Sequence, residues 1–222
     1  MPFDFDREAN KFLFVLIMAD LLFILLHLLH GFADTIGLFY SPNFALTQER
    51  GYAEIFEYLK EYWTTVLLIV LALRAANLLY FCWALLFGYF LVDDSLKIHR
   101  HFGAYLSDAF GPEPIFGLNS QILGELTVFA FFGGLFLLGI AVSYRVNPDE
   151  DAKRFSRYLF GLFVAFLFFG IGVSVFQKMI PANYPGWKQS VRFFEQTGQL
   201  VVMSVICWFV FQFKPELSEL EE

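Results

Sequence analysis

Residues 63–92 read WTTVLLIVLALRAANLLYFCWALLFGYFLV, thirty residues in which Arg74 is the sole charge. As one helix, the stretch would bury Arg74 near the middle of a bilayer, where a charged side chain is costly. As two helices joined at residues 73–77, LRAAN, it leaves Arg74 in a tight surface turn. The two-helix reading predicts spans over 58–73 and 77–92. The first of these is short and borrows residues 58–63 as its interfacial end. Lys60 would snorkel toward the headgroups there, with Tyr62 and Trp63 as belt residues.

Further apolar runs cover 12–32, 122–144, 157–177 and 196–213. Runs of this length cross a hydrocarbon core of about 30 Å. The 222 residues are 58% hydrophobic and only 17% charged, below the roughly 25% charged of soluble domains. The fold class expected is all-α, a polytopic transmembrane helical bundle of six spans forming a single domain over 1–222. Five spans remain the alternative if 63–92 is one helix. A membrane barrel would show alternation in segments of about ten residues, and none is present. Run 12–32 is too long for a signal-peptide core and lacks a small-residue cleavage site, so it is read as a retained span.

The formal charge is −7 with no basic patch, which argues against a nucleic-acid partner. Cys82 and Cys207 sit inside apolar runs and read as small hydrophobes, not a disulfide or metal pair. The acidic end, PELSELEE (215–222), reads as a solvated tail.

With six spans both termini share a side. That side carries eight Lys and Arg and the other carries seven, so totals do not orient the chain. The loop RVNPDEDAKRFSR (145–157) is the densest juxtamembrane cluster, and it places the termini in the cytoplasm. The opposite side bears three longer connections. Residues 33–57 include an amphipathic patch, AEIFEY (53–58). Residues 93–121 include HFGAYLSDAF (101–110), read as a short interfacial helix broken at Pro112 and Pro114. Residues 179–194, with Pro181, Pro185, Gly186 and Trp187, read as a turn-rich cap. Gly133, Gly134, Gly139, Gly170 and Gly172 are expected where helices approach closely.

The polar residues gather at span ends on one side. His27 and His30 end the first span, and DDSLKIHRHFG (93–103) follows the third. Glu125 opens the fourth, Gln177 and Lys178 end the fifth, and Glu195 and Gln199 open the sixth. In a continuous helix Asp94 would share a face with His101, and Asp93 with Arg100. For His99 to join them, the backbone must leave the helix near 95–97. Asp20 lies deep in the first span, seven residues before His27.

Imidazole with carboxylate is a ligand set for zinc or another divalent metal. His27, His30, Asp93, Asp94, His99 and His101 are the candidate ligands, and Glu125 is the candidate general base acting through metal-bound water. No HExxH, CxxC or paired ExxH motif accompanies them. A hydrogen-bonded and ion-paired network that ties helix ends together accounts for the same residues. Asp93 with Arg100 is one ready pair, and Glu195 can cap the sixth helix. Asp20, as an intramembrane acid, suits an ion or proton pathway.

The stretch YFCWALLFGYFLVDDSLKIHRHFG (80–103) resembles a group of uncharacterised bacterial multi-pass membrane proteins. Their third helix ends in an apolar run, then DD, four residues, HE and a nearby Gly. Asp93, Asp94, His99 and Gly103 match that pattern. Gly124 and Glu125 match a G-E pair opening the next span, and FEQTG (194–198) is similar to the group's last span. The Glu of the motif is replaced here by Arg100, a cation that stays protonated and opposes a bound metal. The resemblance implies a bacterial inner-membrane protein that keeps the fold and has lost a ligand or base. It implies no activity.

The reading that follows is an integral membrane subunit or scaffold, non-catalytic, with an external His/Asp/Glu/Arg cluster. Lys97, Arg100 and Lys178 are its candidate contacts for an anionic lipid headgroup or partner. Its expected partners are membrane lipid and other membrane subunits or further copies of itself. A metal-dependent hydrolase of a lipid amide or ester, and an ion or proton pathway through Asp20, are the alternatives.

Overall fold

The computed structural model describes residues 7–111, 118–180 and 183–213, and they form an all-helical chain. Helix α1 spans Arg7–Gly31, followed by a short α2 (Ala33–Ile36) and a single 3-10 turn (Pro42–Phe44). Then come α3 (Tyr52–Ala75), α4 (Leu78–Leu96), α5 (Ile98–Phe110) and α6 (Ser120–Val146). Helix α7 (Glu150–Leu167) passes through a π-helical turn (Phe168–Val173) into α8 (Ser174–Met179), and α9 spans Pro185–Gln212. Five helices are long and apolar enough to cross a membrane: α1, α4, α6, the continuous Glu150–Met179, and α9. Pro112, Pro114, Pro181 and the acidic tail lie outside the described residues.

The break inside residues 63–92 falls where LRAAN predicts it. Ala76 takes a positive φ of 45°, and Asn77 is extended and caps α4 by accepting a hydrogen bond from the Leu79 N–H at 3.0 Å. Such a cap satisfies a donor that the first helical turn leaves open. The turn is also held from the α6–α7 connection. Asn147 Nδ2 donates to Asn77 Oδ1 at 2.6 Å, and Asn77 Nδ2 donates to Asp149 Oδ2 at 3.4 Å. Asp149 in turn caps α7, accepting from the N–H groups of Asp151 and Ala152 at 2.9 and 3.1 Å. Arg74 is exposed.

Helix α3 departs from expectation at its other end. Lys60 does not snorkel: it is 0% exposed, and Glu57 and Glu61 beside it are also buried. Burial against partners inside the protein replaces water as the solvent of these charges. Helix α9 also begins earlier than the apolar run 196–213 suggests. Pro185 is tolerated in the first turn, so Trp187, Lys188 and Arg192 are helical, and the expected turn-rich cap is helix from 185 onward.

The described residues divide into two compact units. One takes 7–63 with 158–213, the other 64–157. In the first, Leu46, Ala53 and Leu200 form a core with Phe23, Ile24, Phe56 and Phe193 around it, and Phe12 packs on Phe211 at 4.6 Å. A Cβ at Gly198 would strike the Phe169 ring, so α9 meets the π-helical turn at a residue with no side chain. In the second, the fully buried Trp83 donates its indole N–H to Ser156 Oγ at 2.9 Å, and Tyr80 meets Phe155 edge-on at 5.3 Å.

The glycine expectation needs correction. Gly133 and Gly134 have nothing within 4 Å of a built Cβ, and Gly139 and Gly172 have only ordinary contacts. Of the five, only Gly170 is tight, with Gln199 Nε2 at 2.7 Å. Cys82 and Cys207 form no disulfide, and Cys82 Sγ lies 3.3 Å from Ser143 Oγ.

Replacing Asn77 with Ala should lower stability by about 1 kcal/mol, the usual cost of a lost cap. Asn147→Ala should cost a similar amount, and the double variant less than the sum, because the two side chains hydrogen-bond each other. Thermal unfolding in detergent reads all three.

Candidate functional site

The second unit assembles the polar residues at the junction of α4, α5 and α6. Helix α4 ends where Lys97 adopts a left-handed conformation (φ 54°, ψ 41°) and its N–H bonds back to the Asp93 carbonyl. This break lets His99 turn back on Asp93. Asp93 is fully buried, and both of its carboxylate oxygens go to His99. Oδ1 accepts the His99 backbone N–H at 2.9 Å, and Oδ2 accepts from ring Nδ1 at 2.6 Å. One carboxylate thus caps the start of α5, where negative charge is favoured, and fixes the imidazole tautomer.

Helix α6 supplies the other wall. Phe129 stacks on the His99 ring at 4.6 Å. One turn along α5, Gly103 faces α6 so closely that a Cβ there would lie 2.7 Å from the Glu125 nitrogen. Gly124 is equally tight, since its Cβ would collide with the Gly103 carbonyl. These two glycines are where close helix approach is needed, and they bring α5 antiparallel onto α6. Glu125, one turn before Phe129, packs at Gly103 and accepts from Gln121 Nε2 at 3.2 Å.

Candidate ligand atoms of Asp93, Asp94 and His99 all lie within 4.8 Å of one another. This is the grouping that the donor chemistry of a divalent metal requires. The other predicted ligands are engaged elsewhere. His101 is exposed, and its Nδ1 lies 2.9 Å from the Lys97 carbonyl; the break at Lys97 removes the continuous helix that would have paired it with Asp94. His27 and His30 belong to the first unit. His27 Nδ1 accepts from the Leu46 N–H at 3.3 Å while its ring stacks on Phe193, and His30 Nδ1 donates to the Phe39 carbonyl at 2.8 Å. Both fasten the segment after α1 to that helix.

Of the expected anion contacts, Arg100 is exposed and Lys97 half-buried, both at the α4–α5 junction. Lys178 is exposed on α8 in the first unit, within electrostatic range of the buried Glu195, which is hydrogen-bonded to Ser174. Asp20, expected as a lone acid within the first span, is instead ion-paired to Lys60 at 3.0 Å. The sequence reading missed Phe129 and the buried face of α3. The spacing of Glu57, Lys60 and Glu61 puts them on one helix face and could have revealed the latter.

Asp93→Ala should destabilise the second unit by about 2–4 kcal/mol, since two hydrogen bonds to a buried charge are lost. Gly103→Ala or Gly124→Ala should cost about 1–3 kcal/mol by overpacking. In hydrogen exchange, both glycine variants should deprotect α5 before α4.

No curated protein and no solved structure matches the chain. A family model described as a domain of unknown function, DUF8692, matches residues 13–214, and the chain belongs to that family.

Proposed function

We propose that the chain is a six-span protein of a bacterial inner membrane with cytoplasmic termini. Five helices meet the length and apolarity of a span. Phe14, Leu21, Leu25 and Leu28 of α1, and Phe131, Leu135, Leu138 and Val142 of α6, are exposed large apolar residues that lipid would cover. Helix α3 is the sixth span in this reading. Its 24 residues reach about 36 Å at the helical rise. Its charges at 57, 60 and 61 are buried, so lipid does not meet them.

Within that frame the protein acts as a non-catalytic subunit or scaffold. The observation that carries this reading is the Asp93 carboxylate, committed through both oxygens to His99. A carboxylate so occupied fastens one helix end to the next. Helix α5 then lies antiparallel on α6, with Phe102, Tyr105 and Phe110 exposed and Arg100 exposed beside them. Arg100 and Lys97 are the contacts for an anionic lipid headgroup.

A second reading rests on the Asp93, Asp94 and His99 grouping. Zinc or another divalent metal held there, with Glu125 as general base, would make a hydrolase for a lipid amide or ester. The group would supply a Lewis acid and a water activated near neutral pH. Arg100, next to His99 in sequence, opposes a cation and favours the first reading.

Gentle purification from the native membrane separates the two. The scaffold reading expects a companion chain, or further copies of this one, at fixed stoichiometry. Binding to anionic vesicles should fall severalfold in an Arg100→Ala, Lys97→Ala double variant. About one metal per chain, lost in His99→Ala, would replace the scaffold with the hydrolase. Single cysteines at positions 30 and 101 should label from the same side of the membrane, and labelling from opposite sides would mean five spans.

A further inference from the structure

The second unit also gathers cations, at the start of α4 and so at the other end of that helix from Asp93. Arg74 closes α3, Arg145 lies in the last turn of α6, and Arg154 and Arg157 stand near the start of α7. Two connections carry them, and Asn77 ties these together through Asn147 at 2.6 Å and Asp149 at 3.4 Å. All four arginines are exposed, and among the described residues no guanidinium of the four donates to a protein acceptor. The carboxylates at this end are engaged locally. Asp149 caps α7. Glu150 is paired to Lys153 at 2.9 Å, with Arg157 and Arg154 in electrostatic range of it. With Asp151 there are three acids here against five cations, the four arginines and Lys153.

Two of these arginines end exposed apolar stripes. On α6, Arg145 follows the exposed Leu138 and Val142 at spacings of seven and three residues, which share a helix face. On α3, the exposed Val66, Ile69 and Leu73 form a stripe, and Arg74 is next in sequence. On α7, Arg154 and Arg157 are one turn apart, on the side away from the buried Ala152, Phe155 and Ser156. A surface that is apolar along a helix and cationic at its end matches a phospholipid, whose acyl chains lead to an anionic head. The guanidinium fork suits phosphate, which it can grip through two parallel hydrogen bonds.

We propose that Arg74, Arg145, Arg154 and Arg157 bind the phosphate of an anionic phospholipid whose acyl chains lie along the exposed stripes of α3 and α6. This site rests on the membrane-spanning reading above, and it lies on the membrane face opposite Arg100 and Lys97. A free phosphate ion would use the guanidinium groups alone. The exposed Leu73, Leu138 and Val142 favour a ligand that brings apolar surface with its charge.

Thermal unfolding of the full chain in neutral detergent tests it, with phosphatidylglycerol, phosphatidylcholine or inorganic phosphate added. The Lys97→Ala, Arg100→Ala double variant serves as the background, so that the other face does not contribute. Phosphatidylglycerol should raise the midpoint at concentrations where phosphatidylcholine and phosphate do not. Each of Arg74→Gln, Arg145→Gln, Arg154→Gln and Arg157→Gln should weaken the apparent affinity about fivefold, the equivalent of roughly 1 kcal/mol per cation at a lipid surface. Without lipid, these variants should keep the midpoint of the background, because the side chains they replace are exposed. An equal response to phosphatidylcholine, or a full response in the variant lacking all four arginines, overturns the proposal. A response to inorganic phosphate as large as that to phosphatidylglycerol also overturns it, in favour of a free-anion site. Extraction of the chain from native membranes by alkaline carbonate would instead overturn the membrane-spanning reading, and the lipid site with it.

Discussion

Helices with apolar surfaces on most sides leave few places for a polar side chain, and each one that leaves water must find a partner within the protein. That constraint organises both units. Asn77, Asn147 and Asp149 meet where two connections lie together. Asp93 meets His99 where α4 gives way to α5. Asp20, Lys60 and Ser204 meet where α1, α3 and α9 pack. In each case a helix end or helix face is positioned by a polar contact that apolar packing alone would not specify, because apolar contacts are non-directional.

The junction of α4, α5 and α6 illustrates how one such contact depends on another. His99 reaches Asp93 only because Lys97 takes a left-handed backbone conformation. It stays against Phe129 because Gly103 and Gly124 let α5 lie directly on α6. A side chain at either glycine would separate the helices and move the imidazole from its ring partner. The motif residues Asp93, Asp94, His99, Gly103, Gly124 and Glu125 thus converge in space although two connections separate them in sequence. Their convergence accounts for their joint appearance in the chain without requiring that they catalyse anything.

The two polar centres differ in electrostatic character. At the α4–α5 junction the buried carboxylate of Asp93 accepts through both oxygens from His99, beside partly buried neighbours. Around Lys60 the carboxyls outnumber the ammonium and all are buried. The first arrangement suits a stable clasp.

Some of this was legible in the sequence. Runs of apolar residues fixed the all-helical class and the approximate helix positions, because hydropathy and length suffice for that. Arg74 in LRAAN foretold the break between α3 and α4, since a charge in mid-helix is costly and Asn is a good cap. The need for a break before His99 was also readable, from the mismatch between helical spacing and a shared site. Helix ends were less legible: α9 extends eleven residues before its apolar run because polar residues continue a helix as readily as apolar ones. Which glycines are crowded, which histidines only hold backbone, and where Lys60 points depend on what the neighbouring helix brings to the same depth. Sequence sets each helix and its faces; tertiary structure alone decides which faces meet, since burial and partnership arise only between elements remote in the chain.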